Sequence, residues 1–227
     1  KRQKYNGEIK QIRDKKTTMC ASETFSLEPH QEFVKAFISS NTFYNGLLLY
    51  HGMGSGKTCS AICISEEYRK QNKYNKSKKR ILVIASPNIQ DNFKLQLFDP
   101  DKLEKKNGIW QLDGCVGEAI LQELNYQNIQ MLQEDALKSK IRTFIRRNYE
   151  FMGYEKFGNS IQKVVEKYES MDSGKEKQIK REMRELFSER MIIVDEAHNM
   201  RTIGVNDTNK IAAKGFLTLL KYVKHMK

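Results

Sequence analysis

The 227-residue chain carries 40 Lys and Arg against 28 Asp and Glu, a formal charge of +12. With 39% hydrophobic residues, 11 Phe, 10 Tyr and only 3 Pro, it is neither disordered nor collagen-like and has apolar mass for one large domain's core. The charge suits a polyanionic partner, nucleic acid before a membrane surface, and the apolar runs fall far short of the ~20 residues a spanning helix needs.

No apolar segment follows Lys1-Arg2-Gln3-Lys4, so no signal peptide is expected. The cysteines, Cys20, Cys59, Cys63 and Cys115, show no Cys-x-x-Cys spacing. That pattern predicts neither a zinc site nor a disulfide framework, but reduced thiols in an intracellular compartment.

In chain order, residues 1–20 read as a basic arm, with seven basic and two acidic residues among the first 16. A helix is expected to start near Pro29, because Phe33, Val34, Phe37 and Ile38 recur at helical spacing. Gly46-Leu47-Leu48-Leu49-Tyr50 reads as a short buried strand, and the segment after Lys57 as a helix. Residues 69–80 hold seven basic residues and no acid, a solvated loop or helix end. Ile81 to Ala85 is a second buried strand stopped by Ser86-Pro87, and a helix follows to about Phe98. Residues 99–148 predict a loop around Trp110, then helices from Gly117 and from Glu134.

Tyr149 to Tyr154 reads as a third strand before a helix at 155–168. Residues 171–190 form a charged helical stretch with Ile179, Met183, Leu186 and Phe187 on one stripe. Met191 to Val194 is a fourth buried strand, and Ile211 to Val223 closes as a helix. Strands that are continuously apolar and separated by helices indicate an α/β fold with a parallel sheet covered on both faces. The expected division is the arm over 1–20 and one lobe over 21–227, with helical insertions at about 99–148 and 165–190.

The strongest chemical signal is His51-Gly52-Met53-Gly54-Ser55-Gly56-Lys57-Thr58, between an expected strand and an expected helix. Glycines let a loop turn its N–H groups inward around phosphates, and the next helix's N-terminus adds partial positive charge. Lys57 would reach the β- and γ-phosphates and Thr58 would ligate Mg²⁺. His51 stands where the full phosphate-loop pattern has glycine. Asp195-Glu196-Ala197-His198 follows the fourth strand. At such a carboxyl end Asp195 can hold Mg²⁺ and Glu196 can activate the attacking water.

Gln31, 26 residues before Lys57, can read the adenine edge and favour ATP. Ser86-Pro87-Asn88 can grip a nucleic-acid phosphate at a fresh helix N-terminus, or serve as an ordinary strand-to-helix cap. The basic residues of 69–80, with Lys138, Lys140, Arg142, Arg146 and Arg147, either attract phosphates or form solvated faces.

In their order, Gln31, Gly54-Ser55-Gly56-Lys57-Thr58, Ser86-Pro87-Asn88 and Asp195-Glu196-Ala197-His198 resemble superfamily 2 helicases and translocases of the DEAH type. Leu27 to Gln31, Leu48 to Gly52, the Trp110–Cys115 stretch and Tyr149 to Tyr154 are similar to the branch found in large cytoplasmic DNA viruses, which includes poxvirus-like transcription ATPases. The resemblance covers about residues 25 to 227, and this family accepts His51.

It implies a RecA-like P-loop NTPase lobe that uses ATP and Mg²⁺. Gln31 would read adenine, and the loop from His51 to Thr58 would bind phosphate and metal. Asp195 would hold the metal and Glu196 would drive hydrolysis. Ser86, Pro87, Asn88, Gly153 and Tyr154 would line the nucleic-acid track. The Ser-Ala-Thr motif, the second lobe and its arginine finger are expected to be missing from this chain. DNA or RNA, viral transcription machinery and a place in host cytoplasm or virion are the implied setting. A P-loop kinase or metabolic ATPase not acting on nucleic acid, and a non-catalytic nucleic-acid-binding module of a viral transcription complex, are the competing readings.

With half of a two-lobed site missing, the 227-residue chain should bind ATP weakly and hydrolyse it slowly or not at all. A malachite-green phosphate assay on the purified chain checks this, and brisk turnover that disappears in Lys57→Ala would contradict the split site.

Overall fold

Ile81-Leu82-Val83-Ile84 is buried on both faces, and that sets the architecture. In a computed structural model, which describes residues 27–38, 42–52, 54–72, 79–200, 207–224 and 226–227, these four form strand β1 (Ile81–Ile84). Two further strands flank β1, named β4 (Tyr149–Met152) and β5 (Ile192–Val194) for their place in the chain, and both pair parallel to it in the order β4-β1-β5. Strand side chains alternate between faces.

Ile81 and Val83 therefore enter one apolar cluster. They meet α1 (Pro29–Phe37), α2 (Lys57–Gln71) and α3 (Pro87–Leu97) there, through Val34, Ile62 and Phe93 among others. Leu82 and Ile84 enter a second cluster. Its helices are α7 (Tyr154–Glu166), α8 (Lys175–Phe187) and α9 (Asp207–Tyr222). The expected α/β fold with a parallel sheet covered on both faces is present.

Residues 100–148 extend the first cluster. They comprise strands β2 (Leu103–Lys106) and β3 (Ile109–Leu112) and helices α4 (Gly117–Glu123), α5 (Tyr126–Ile129) and α6 (Glu134–Asn148). Trp110, expected in a loop, is buried in the β2–β3 hairpin. Asn107 and Gly108, at φ +52° and +79°, make its two-residue turn. Both central residues of that tight turn type require positive φ, which Asn-Gly supplies. In α8, Ile179, Met183 and Phe187 are buried as the stripe predicts, whereas Leu186 is exposed.

Two expectations are corrected. Gly46 to Tyr50 is not a strand: the segment is irregular, with Leu48 74% and Tyr50 92% exposed. An apolar run becomes a strand only where a ladder edge accepts its N–H and C=O groups. Gly46 to Tyr50 pairs with none of the described strands, and the edge of β5 away from β1 bonds to the main chain of Lys227. The Ile192 N–H donates to the Lys227 carbonyl at 2.7 Å, and the Lys227 N–H to the Arg190 carbonyl at 3.2 Å. The second correction concerns the thiols. Cys59 and Cys115, expected to be reduced, are joined in a disulfide across 56 residues. Cys63 is a free, buried thiol. The fold brings the first turn of α2 against the loop before α4, a proximity that spacing along the chain does not encode. Cys20 and the expected arm over 1–20 lie outside the described residues.

Helices α7 and α9 cross at glycine. A Cβ on Gly158 would stand 2.7 Å from the Ile211 carbonyl carbon, and Gly215 sits against the Gly158 main chain. Gly158→Val should therefore cost about 2 kcal/mol through overpacking. Thermal unfolding should fall by several degrees, while Gly153→Ala, which meets no atom within 4 Å, leaves it unchanged.

Candidate functional site

The glycine-rich loop is held open by the two elements beside it. Gly54 and Gly56 adopt φ +75° and +73°, which glycine tolerates without strain. Gly56 is the N-cap of α2, so the first-turn N–H groups of Lys57 and Thr58 face outward as donors. The Ser55 hydroxyl donates to the Gly52 carbonyl at 2.9 Å. Lys57 crosses the loop, its Nζ donating to the carbonyls of His51 at 3.1 Å and Gly52 at 3.0 Å. Thr58 follows on the first turn, half-buried. Met53 lies outside the described residues.

From the other side, α1 presents two consecutive side chains to two consecutive loop carbonyls. His30 Nε2–H donates to Ser55 at 3.0 Å and Gln31 Nε2 to Gly56 at 3.2 Å. Gln31 is 5% exposed, and its Oε1 accepts the Glu28 N–H in a capping box. A Cβ on Gly56 would approach Gln31 Nε2 to 2.5 Å, so the contact requires glycine. Both ends of the Gln31 amide thus have partners inside the chain, a role its expected reading of adenine did not include.

A buried network fixes α2 beneath the loop. Glu66, 3% exposed, accepts from Tyr149 OH at 2.7 Å and from Arg69 through Nε and Nη2. Arg69 reaches on to Glu123 at 3.6 Å and lies 4.7 Å over the Phe144 ring. Burial and the Glu66 charge push the Tyr149 hydroxyl well above its usual range. Arg69, counted among the basic residues that could attract phosphate, is taken up inside the protein. Lys140, Arg142, Arg146 and Arg147 are exposed on α6.

The second half of the site is the end of β5. The Asp195 N–H extends the ladder to the Ile84 carbonyl at 3.1 Å, and Asp195 Oδ1 accepts the Glu196 N–H at 2.9 Å. Glu196 sits at φ +49°, turning the chain outward before a short 3₁₀ helix over Ala197–Met200. It is exposed, and His198 Nδ1 stands 3.1 Å from its Oε2. Burial pushes the Asp195 carboxyl above the usual carboxylate range and the Glu196 charge adds to this. The Glu196 N–H bond and the Lys57 ammonium pull it back. Lys57 and Asp195, 138 residues apart in sequence, therefore act on one another electrostatically.

All three sheet strands run parallel, so their carboxyl ends share one edge. Ser86, Pro87 and Asn88 leave β1 there, with Pro87 and Asn88 exposed at the start of α3. Ser86 makes no side-chain capping bond. Gly153 leaves β4 at the same edge. Tyr154 is buried at 8% exposure, and its hydroxyl donates to the Asp195 carbonyl at 2.5 Å. It is placed to hold Asp195. His30 and the Glu66–Tyr149 network escaped the sequence reading. Adjacency of His30 to Gln31 was the one available signal.

Residues 24–224 match the family model described as type III restriction enzyme, res subunit. A putative ATP-dependent RNA helicase of Acanthamoeba polyphaga mimivirus is 28% identical over 224 residues, covering 89% of this chain and 17% of the relative. A putative helicase of Invertebrate iridescent virus 3 is 28% identical over 179 residues, covering 76% and 15%. One of Frog virus 3 (isolate Goorha) is 23% identical over 185 residues, covering 81% and 16%. The chain thus spans less than a fifth of the length of these relatives. No solved structure matches it.

Truncating Glu66 would strand Arg69, whose side chain is 12% exposed. Glu66→Ala should cost about 3 kcal/mol by urea unfolding, and Tyr149→Phe about 1 kcal/mol. Similar small losses for both would show that the network does not anchor α2.

Proposed function

This chain belongs to the type III restriction enzyme, res subunit (ResIII) family, and from that premise we propose that it is the ATP-binding lobe of a nucleic-acid motor. The observation that carries the reading is geometric: the Lys57 ammonium lies across the braced glycine loop on the His51 and Gly52 carbonyls, and Asp195 ends a parallel strand, bonded to Ile84, near enough for the ammonium to act on its carboxyl. Ligands in open α/β sheets bind at that edge.

The residues fit a magnesium nucleotide. The His51–Thr58 loop offers first-turn N–H groups and an ammonium whose hydrogen bonds, among the described residues, go to backbone carbonyls. Those weak partners are readily exchanged for phosphate oxygens. Among the described residues no group of three or more His, Cys, Asp or Glu could hold a metal. Mg²⁺ would take nucleotide oxygens alongside Thr58 and Asp195, both hard oxygen donors. Bound there, it would neutralise charge developing on the transferred phosphoryl group.

Each side chain then has a task. Lys57 holds the β- and γ-phosphates, and Asp195 must be ionised to serve the metal. Glu196, one residue further out, accepts a proton from the attacking water, and His198 orients its carboxylate. Gln31 holds the Gly56 carbonyl and reads adenine by exchanging the Glu28 N–H for the base.

Ser86, Asn88 and Gly153, at the same edge, support a track for a nucleic-acid backbone, with Tyr154 fixing Asp195 behind it. The exposed cations of α6 add sequence-neutral attraction. RNA joins DNA as a substrate because relatives are described as RNA helicases, and a viral transcription complex is the fitting partner. None of the described helices is long and apolar enough to cross a membrane.

The test is ATP hydrolysis by the intact polypeptide with and without single-stranded RNA or DNA. Stimulation is expected, with kcat falling about 100-fold or more in Glu196→Gln while ATP still binds. Lys57→Ala should weaken binding itself. Salt-sensitive nucleic-acid binding with hydrolysis untouched by Glu196→Gln would favour a non-catalytic binding module and overturn the proposal.

A further inference from the structure

Three cysteines meet on one side of α2, outside the chemistry assigned above. Cys59 is the third residue of the helix, directly after Lys57-Thr58, and is buried. Cys115 is half-buried in the loop from β3 to α4. Their Cα atoms lie 5.6 Å apart and their sulfurs are joined, a separation usual for bridged cysteines. Cys63, one turn further along, keeps its thiol and donates to the Cys115 carbonyl at 3.5 Å.

Two features make this bond exchangeable. Cys115 is half-buried and lines a surface cleft together with Glu67 and Gly114, the route by which a small thiol would reach the bond, whereas Cys59 is buried. Cys59 also lies in the first turn of α2, where free N–H groups and the helix dipole offset part of the cost that its burial sets on a thiolate. A leaving thiolate stabilised in this way departs faster. The third thiol does not interfere. Burial pushes Cys63 up to about 11, so at neutral pH it stays protonated and attacks neither sulfur.

We propose that Cys59–Cys115 is a reversible thiol–disulfide latch on the phosphate-loop helix, opened by small thiols and closed by small disulfides. In opening, an external thiolate attacks the Cys115 sulfur, the Cys59–Cys115 bond breaks, and Cys59 leaves as a thiolate and takes up a proton. A second external thiolate attacks the mixed disulfide at its own sulfur and releases Cys115. The protein gains two thiols and the external pair becomes one disulfide. Closing is the reverse, two protein thiols being oxidised as one small disulfide is reduced to two thiols.

The latch ties the helix turn carrying Lys57 and Thr58 to a loop that is itself fixed. Gly117 packs so closely on β3 that a Cβ would stand 2.1 Å from the Leu112 carbonyl oxygen. Closure therefore restrains the turn that would grip phosphate. This coupling rests on the nucleotide reading, but the bond does not.

The experiment equilibrates the purified 227-residue chain with oxidised or reduced glutathione, traps free thiols with N-ethylmaleimide and maps peptides without reduction. Oxidised glutathione should yield a Cys59–Cys115 linked peptide, with Cys63 alkylated only after unfolding, and millimolar reduced glutathione should remove the link. The closed form should melt roughly 5 °C higher and release a fluorescent ADP analogue about fivefold more slowly. Cys115→Ser should abolish both differences.

Labelling of both Cys59 and Cys115 under oxidising conditions, or a link that reduced glutathione leaves intact in the native protein, would overturn the latch. So would equal ADP release from the two forms. Failure of both forms to bind ADP, with the linked peptide and melting shift present, would instead count against the nucleotide reading and leave the bond standing.

Discussion

Parallel pairing on both sides of β1 is the constraint from which the rest of the structure follows. Its partners come from residues 149–152 and 192–194, and each must leave the sheet at the edge where β1 leaves it. Three short segments with no proximity along the chain, Ser86–Asn88, Gly153–Tyr154 and Asp195–Glu196, are thereby assembled side by side. The arrangement also has to be buried on both faces. Alternate β1 side chains feed two separate apolar clusters, so the edge stands on a core that grips it from above and below.

The glycine loop is not itself part of that sheet, and its position depends on α1 and α2. Two mechanisms hold it. From α1, His30 and Gln31 bind the carbonyls of Ser55 and Gly56 across 25 residues of chain, and the Gln31 contact works only because Gly56 lacks a Cβ. From below, the Glu66 carboxylate joins α2 to β4 through Tyr149 and to α4 through Arg69 and Glu123. Buried charges are costly unless fully partnered, and here each finds several partners. The helix that presents Lys57 and Thr58 is consequently tied to the strand that ends in Gly153 and Tyr154. Tyr154 in turn bonds to the main chain of Asp195.

Much of this was legible in advance where the signal is local. The start of α1 at Pro29, the helix after Lys57, the buried strand at 81–84, the strand at 192–194, which is half-buried where full burial was expected, and the helices from Gly117 and Glu134 all follow from periodicity, caps and continuous apolar runs. The Asn107-Gly108 hairpin was equally local and was passed over because its flanking residues, Leu103-Glu104-Lys105-Lys106, carry little apolar weight. Where the signal was not local, reading failed for a physical reason. Leu47-Leu48-Leu49 has the composition of a strand, but a strand is a property of two neighbours, and this segment pairs with none of the described strands.

By itself, then, the amino-acid order determined the chemistry on offer: a glycine loop ending in Lys57-Thr58, a carboxylate pair after an apolar strand, and the α/β alternation that places such groups at strand ends. Only the tertiary structure decided which of these groups meet and what each is bonded to. Coupling of Lys57 to Asp195, capture of Gln31 by Gly56, withdrawal of Arg69 into a buried ion pair and the joining of Cys59 to Cys115 all depend on distances through space. Helix and strand propensities act over a few residues, whereas those distances are set by how two apolar faces of one sheet are covered.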